Sequence, residues 1–157
     1  MQKSEIQKLL DRADYFASLD KHTDTKYLPG YVVLNVFFEN STRTRVSFEL
    51  AARRLGAEVI NISLINSSIK KGESLLDTAS TLNAMKPDLL IVRHPHSGAP
   101  LLFAEYLSCS IINAGDGRHE HPTQALLDAL TIKRRIGYLE GLKLSLIHIS
   151  EPTRRYF

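Results

Sequence analysis

The 157 residues, 43% hydrophobic and 24% charged, fit one ordinary globular domain and exclude collagen-like, disordered and multi-domain readings. A chain of this size buries roughly 68–70% of its unfolded surface without staples; its single cysteine, Cys109, forms no intrachain disulfide, and the absence of structural-zinc spacing points to the reducing cytoplasm. The net charge of +3 permits an anionic partner but does not indicate nucleic acid. Charges occur in every turn of the first 22 residues, and the longest aliphatic run, Leu89 to Val92, is far too short to span a bilayer, so neither a signal core nor a membrane partner is expected.

In chain order, Ile6, Leu9, Leu10, Ala13, Phe16 and Ala17 recur at helical spacing and predict an amphipathic helix over the first ~20 residues, capped by Ser4. After Pro29-Gly30, the run Tyr31 to Phe38 is apolar on both faces, as a strand buried on both sides must be. A helix from about Thr42 to Leu55 and a strand from Ala57 to Ile62 follow. The loop SLINSSIKKGE leads to a helix from Ser74 to Met85, then a strand from Asp88 to Val92. The loop RHPHSGAP precedes a short helix around Leu101 to Leu107, a strand from Ser110 to Ala114, and a helix from Pro122 to about Ile136. Strands alternating with helices predict an α/β three-layer domain, a parallel sheet covered by helices on both faces.

Ligands of such sheets bind beyond the carboxyl ends of the strands, and those junctions carry the unusual residues. Ser41-Thr42-Arg43-Thr44-Arg45 opens a helix directly after a buried strand, where unpaired N–H groups and the helix dipole favour an anion. One hydroxyl suffices for a cap; three hydroxyls and two arginines in succession suit an oxygen-rich anion such as phosphate. Charge-assisted hydrogen bonds, worth ~1.5–3 kcal/mol each, outweigh the ~0.3–1 kcal/mol of a helix terminus. His121-Pro122-Thr123-Gln124 is a second such junction, with proline at the first helical position. The positive field there favours a neutral His121, which can donate to a carbonyl oxygen as charge develops on it. Gln124 can pair with an amide as donor and acceptor.

Other motifs carry less. His94/His96 and His119/His121 have H-x-H spacing, but each pair sits in a Pro/Gly-flanked loop with no completing carboxylate, so no metal is expected. Neither the KKGES loop nor Gly115-Asp116-Gly117 follows a nucleotide fingerprint, and no ATP, NAD or other cofactor is called for. The basic junctions lack the interleaved aromatics of a nucleic-acid site.

Together FFENSTRTRVSFELAARRLGAEV, SSIKKGESLLDT, RHPHSGAP and GDGRHEHPTQALLDAL resemble, in order and spacing, the carbamoyl-phosphate-binding half of aspartate carbamoyltransferase. S-T-R-T-R and H-P-T-Q are shared with ornithine carbamoyltransferases; the KGE loop and R-H-P-x-x-G favour the aspartate enzyme. The resemblance implies that Ser41, Thr42, Arg43 and Thr44 hold the phosphate, Arg43 also facing the bridging oxygen. It implies that Arg93 binds phosphate and the carbonyl side, that Thr44, Arg93 and His121 polarise the carbonyl, and that Gln124 holds the carbamoyl amide. It further implies a homotrimer in which Ser67 and Lys71 enter the neighbouring chain's site, and transfer of the carbamoyl group to L-aspartate for pyrimidine synthesis. Regulatory chains and a fused dihydroorotase stay open.

The family's second domain, which the resemblance implies supplies the aspartate-binding arginines, is not expected within this chain. The carbamoyl-phosphate-binding domain is read as residues 1–143, and LSLIHISEPTR from Leu144 resembles a translated sequencing adapter. Residues 144–157 are accordingly expected to be a non-native tail, whose Arg154 and Arg155 against Glu151 account for one of the net positive charges. Without the second domain the chain is expected to bind carbamoyl phosphate weakly, to leave Glu39 without its partner arginines, to be inactive alone, and to bind L-aspartate only once that domain is supplied. The alternatives are an ornithine or related carbamoyltransferase and a non-catalytic phosphate-binding or oligomerisation module.

Overall fold

A computed structural model describes residues 1–20, 23, 25–64 and 74–144; Ser67, Lys71 and the tail beyond Leu144 lie outside them. The elements are α1 (Lys3–Ser18), β1 (Val32–Phe37), α2 (Thr42–Arg54), β2 (Glu58–Ser63), α3 (Leu75–Ala84), β3 (Leu89–His94), α4 (Ala99–Tyr106), β4 (Ser110–Asp116) and α5 (Pro122–Ile136). The four strands form one parallel sheet in the order β2-β1-β3-β4, as the alternating pattern predicts.

Alternation of side chains along the central strands divides the core in two. Leu34, Val36, Leu90 and Val92 pack with Ala79 and Leu82 of α3 and Phe103 of α4. Val33, Phe37, Ile91 and Ala114 pack with Ala52 of α2 on the opposite face; α5 meets β4, and α1 packs on α5. β1 and β3 are buried on both sides, whereas the edge strand β2 exposes Glu58, Ile60 and Asn61.

Four boundaries differ most from the sequence reading. Ser4 lies inside α1 rather than capping it; Gln2 is the N-cap, and its backbone N–H donates to Glu5 Oε2 at 2.6 Å. β3 and β4 each run past the expected ends, through His94 and Asp116, whose Cα positions are paired. The helix after β3 begins at Ala99, because Pro100 fits its first turn and Gly98 takes the left-handed conformation at φ +88° just before it.

Candidate functional site

The strand order places a topological switch between β1 and β3: α2 leaves β1 towards β2 on one face, while α3 and α4 lie on the other. Beyond the carboxyl ends of those two strands a crevice opens. It is continuous with a cavity of about 990 Å³ bordered by apolar side chains of α1, α2 and α5, whose polar lining includes Asn40, Ser41, Thr42, Arg43, Thr44, Arg93, His121, Thr123 and Gln124. Seven of the nine residues expected at the site are thus brought together: Ser41, Thr42, Arg43, Thr44, Arg93, His121 and Gln124. Arg45 does not line the cavity; its backbone carbonyl accepts from the buried Asn35 Nδ2 at 3.1 Å.

Ser41 occupies the N-cap of α2, yet its hydroxyl makes no capping hydrogen bond, so a simple cap does not account for it. No acidic residue occupies the first turn. The unpaired N–H groups of that turn and the side chains of Ser41, Thr42, Arg43 and Thr44 all border the cavity, a donor-rich wall with a positive dipole end.

Arg93 comes from a strand, one residue further inside β3 than a loop position would be. It shares a face with Ile91 and pairs in register with Phe37, so its side chain emerges on the α2/α5 side, where both helix N-termini lie. The register slips there: Val92 pairs with Asn113 and His94 with Asp116, leaving Ala114 and Gly115 opposite Arg93 in a bulge of the kind that re-aims side chains beside sites. Gly115 has φ +139°, and a Cβ on it would lie 3.0 Å from Arg93 Nη1 and 3.1 Å from Cζ. Only glycine lets the guanidinium lie this close to β4. Arg93 Nη1 donates to Ala114 O at 3.3 Å and to His121 Nε2 at 3.2 Å, and Arg93 Nε donates to Glu39 Oε1 at 2.5 Å. Glu39, expected to lack the second-domain arginines of the family, pairs here with Arg93 of its own domain.

His121 is the N-cap residue of α5. Burial pushes its pKa below the usual histidine value, and the Arg93 guanidinium lowers it further, against weaker opposing effects of Asp128 and Glu39. Both effects favour the neutral imidazole, and a neutral ring whose Nε2 accepts from Arg93 holds its proton on Nδ1. Gln124 Nε2 donates to Asp128 Oδ1 at 3.0 Å, which leaves Oε1 to accept from an amide N–H₂.

The H-x-H pairs are split between separate tasks. His94 Nδ1 accepts from the backbone N–H of His96 at 2.9 Å, and burial lowers its pKa. His119 Nδ1 faces Asp116 Oδ2 at 3.1 Å, while Asp116 Oδ1 accepts from Gly98 N–H at 2.8 Å. Asp116, His119 and Glu120 bring ligand-type atoms within 4.8 Å, but Asp116 is committed to this loop. Gly115 and Thr123 are site residues to which the sequence reading gives no role, although Thr123 lies inside the H-P-T-Q motif.

Comparison with known proteins gives a consistent result. Residues 1–134 match the family model described as aspartate/ornithine carbamoyltransferase, carbamoyl-P binding domain. The aspartate carbamoyltransferase catalytic subunit of Dinoroseobacter shibae is 62% identical over 90% of this chain and 46% of its own length; that of Rhodospirillum rubrum is 59% identical over 90% and 45%. Among solved structures, the catalytic subunit of M. jannaschii aspartate transcarbamoylase superposes with a TM-score of 0.82 at 46% identity, covering 90% of this chain and 47% of that one. Trypanosoma cruzi aspartate transcarbamoylase in complex with carbamoyl phosphate and aspartate gives 0.81 at 39%, covering 90% and 44%. The chain spans about half the length of these relatives.

Proposed function

The chain belongs to the aspartate/ornithine carbamoyltransferase family through its carbamoyl-phosphate-binding domain, and on that premise we propose that the crevice binds carbamoyl phosphate for transfer of its carbamoyl group to L-aspartate. The observation that carries this reading is the meeting, at one switch point, of the donor-rich start of α2 with Arg93, His121 and Gln124. Phosphate sits against the N–H groups and side chains of Ser41, Thr42, Arg43 and Thr44. Arg43 faces the bridging oxygen, where charge accumulates as phosphate departs. Thr44, Arg93 and a neutral His121 polarise the carbamoyl carbonyl, and Gln124 Oε1 accepts from the carbamoyl amide.

Attack by the aspartate amino group on the carbamoyl carbon puts negative charge on the carbonyl oxygen, where fixed donors lower the barrier most effectively. The intermediate then expels phosphate, giving N-carbamoyl-L-aspartate for pyrimidine synthesis. Groups that hold aspartate belong to the half of the relatives that this chain does not span, so residues 1–143 contribute the carbamoyl-phosphate half of the site. Aspartate rather than ornithine is favoured by the KGE loop, the R-H-P-x-x-G motif and the identity to aspartate enzymes. In the same reading three copies assemble in the cytoplasm, with Ser67 and Lys71 entering the neighbour's site.

Calorimetric titration of the chain with carbamoyl phosphate tests the reading. Arg43→Ala, losing a charge-assisted bond worth ~1.5–3 kcal/mol, is expected to weaken binding roughly ten- to hundredfold. Binding that is absent, or indifferent to Arg43, refutes it.

A further inference from the structure

His121 has two ring nitrogens and, in this structure, two partners. Nε2 lies 3.2 Å from Arg93 Nη1 and Nδ1 lies 3.3 Å from Thr123 Oγ1. A guanidinium only donates, so Nε2 accepts, the ring proton sits on Nδ1, and Nδ1–H donates to the Thr123 hydroxyl. This tautomer cannot donate from Nε2 to a carbonyl oxygen. The carbamoyl-phosphate reading, on which this inference rests, needs that opposite tautomer once the anion draws Arg93 away.

We propose that Thr123 is a positioning residue for His121, a hydroxyl that accepts from Nδ1–H in the empty site and donates to bare Nδ1 in the occupied one. A hydroxyl is the side-chain group that serves both ways by rotating its hydrogen, and the start of α5 places the Thr123 hydroxyl 3.3 Å from Nδ1. The switch moves no net charge: Nδ1 releases one proton to water in the open cleft, Nε2 takes one from the same water, and both ring and solvent stay neutral. Arg93 from β3, Glu39 after β1 and Asp128 on α5 are the charged groups that act on the ring. Pro122, between His121 and Thr123, has no N–H to offer, which leaves Thr123 as the near partner of Nδ1 on this turn.

Proton–nitrogen correlation spectra of the chain carrying isotope-labelled histidine read the tautomer directly at neutral pH. In the empty wild-type chain the expected His121 pattern is protonated Nδ1 and bare Nε2. Saturation with phosphonacetamide, a stable analogue retaining the amide carbonyl and the phosphoryl oxygens, is expected to reverse it. Thr123→Val is expected to keep the empty-site form, which Arg93 sets, but to give a mixture of tautomers in the phosphonacetamide complex and to weaken its binding roughly three- to tenfold, while Thr123→Ser restores both. A ring already protonated on Nε2 in the empty wild-type chain overturns the proposal whatever the variants do, as does a Thr123→Val chain with wild-type tautomer and affinity in the complex. Failure of the wild-type chain to bind phosphonacetamide counts against the carbamoyl-phosphate reading, and the empty-site spectrum still overturns the proposal by itself if it shows Nε2 protonated.

Discussion

Gly115→Ala isolates the contact that aims Arg93. The new Cβ lands 3.0 Å from Nη1, 3.1 Å from Cζ and 3.2 Å from Cγ of Arg93, so the side chain must move by a few tenths of an ångström. That movement strains the 3.3 Å bond to Ala114 O and the 3.2 Å bond to His121 together. The backbone contributes separately, because alanine at φ +139° is strained by about 1–3 kcal/mol, a fall in melting temperature of roughly 3–10 °C for a domain of this size. Gly137→Ala separates the two effects: Gly137 also has positive φ, +94°, but nothing lies within 4 Å of its added Cβ, and it sits at the far end of α5. Both variants are expected to melt earlier. Only Gly115→Ala is expected to lose about 1.4 kcal/mol, or tenfold, in phosphonacetamide affinity by calorimetry, less than the full value of a charge-assisted bond because the guanidinium is displaced rather than removed. Equal affinities in the two variants refute the view that the β4 bulge and its glycine set the aim of Arg93.

Other expectations follow from the same contacts. The pKa values of His94 and His121 are depressed, chiefly by burial, so the unfolded chain takes up protons first as the pH falls. The stability from these two groups is complete above the ordinary histidine pKa of about 6.5 and is lost as pH falls below it through the depressed values. Thermal melts between about pH 7.5 and pH 5 are expected to show that decline and a shallower one in His121→Gln; identical slopes contradict it. Glu39→Gln removes a carboxylate that competes with an anion for Arg93; since the pair is partly exposed, at 23% and 35%, the expected gain in phosphate affinity is only roughly 0.5–1 kcal/mol, two- to fivefold, and weaker binding contradicts the competition. Asp116→Ala leaves the Gly98 N–H without its 2.8 Å acceptor and is expected to cost about 1–3 kcal/mol in urea unfolding; a loss below about 0.5 kcal/mol, the usual range for inert surface sites, speaks against that role.

What the sequence discloses about this site is set by the range of each interaction. The β1 run buried on both faces, the Ser41 to Arg45 helix start and the His121-Pro122 junction are local patterns, each contained within one turn or strand, and they appear in the structure where residue spacing puts them. The shared face of these pieces follows too, since parallel strands alternating with helices send their carboxyl ends to one edge. What joins the pieces is less visible. Arg93 reads as a loop residue because Pro95 follows closely, whereas pairing of His94 with Asp116 extends the strand past it. Glu39 is expected from the resemblance to face arginines of a second domain, and only the fold brings it to Arg93, 54 positions away.

Gly115-Asp116-Gly117 shows most clearly why function is harder to read than fold here. As a sequence it is a failed nucleotide fingerprint, and the structure gives each residue a different task. Gly115 makes room for the Arg93 guanidinium, and Asp116 accepts from the N-cap of α4. Gly117, at φ +53°, packs where a Cβ would lie 2.5 Å from Pro95 O. All three fix the loop after β3 against β4, so a segment without a ligand-binding signature determines where the arginine points. Chemistry carried by a charged side chain is legible in a motif, but the space and hydrogen bonds that orient it come from residues distant in sequence whose signal is only a glycine or a buried carboxylate. Substitution of the distant residue, with the arginine left intact, is therefore the sharper probe of how this site recognises an anion.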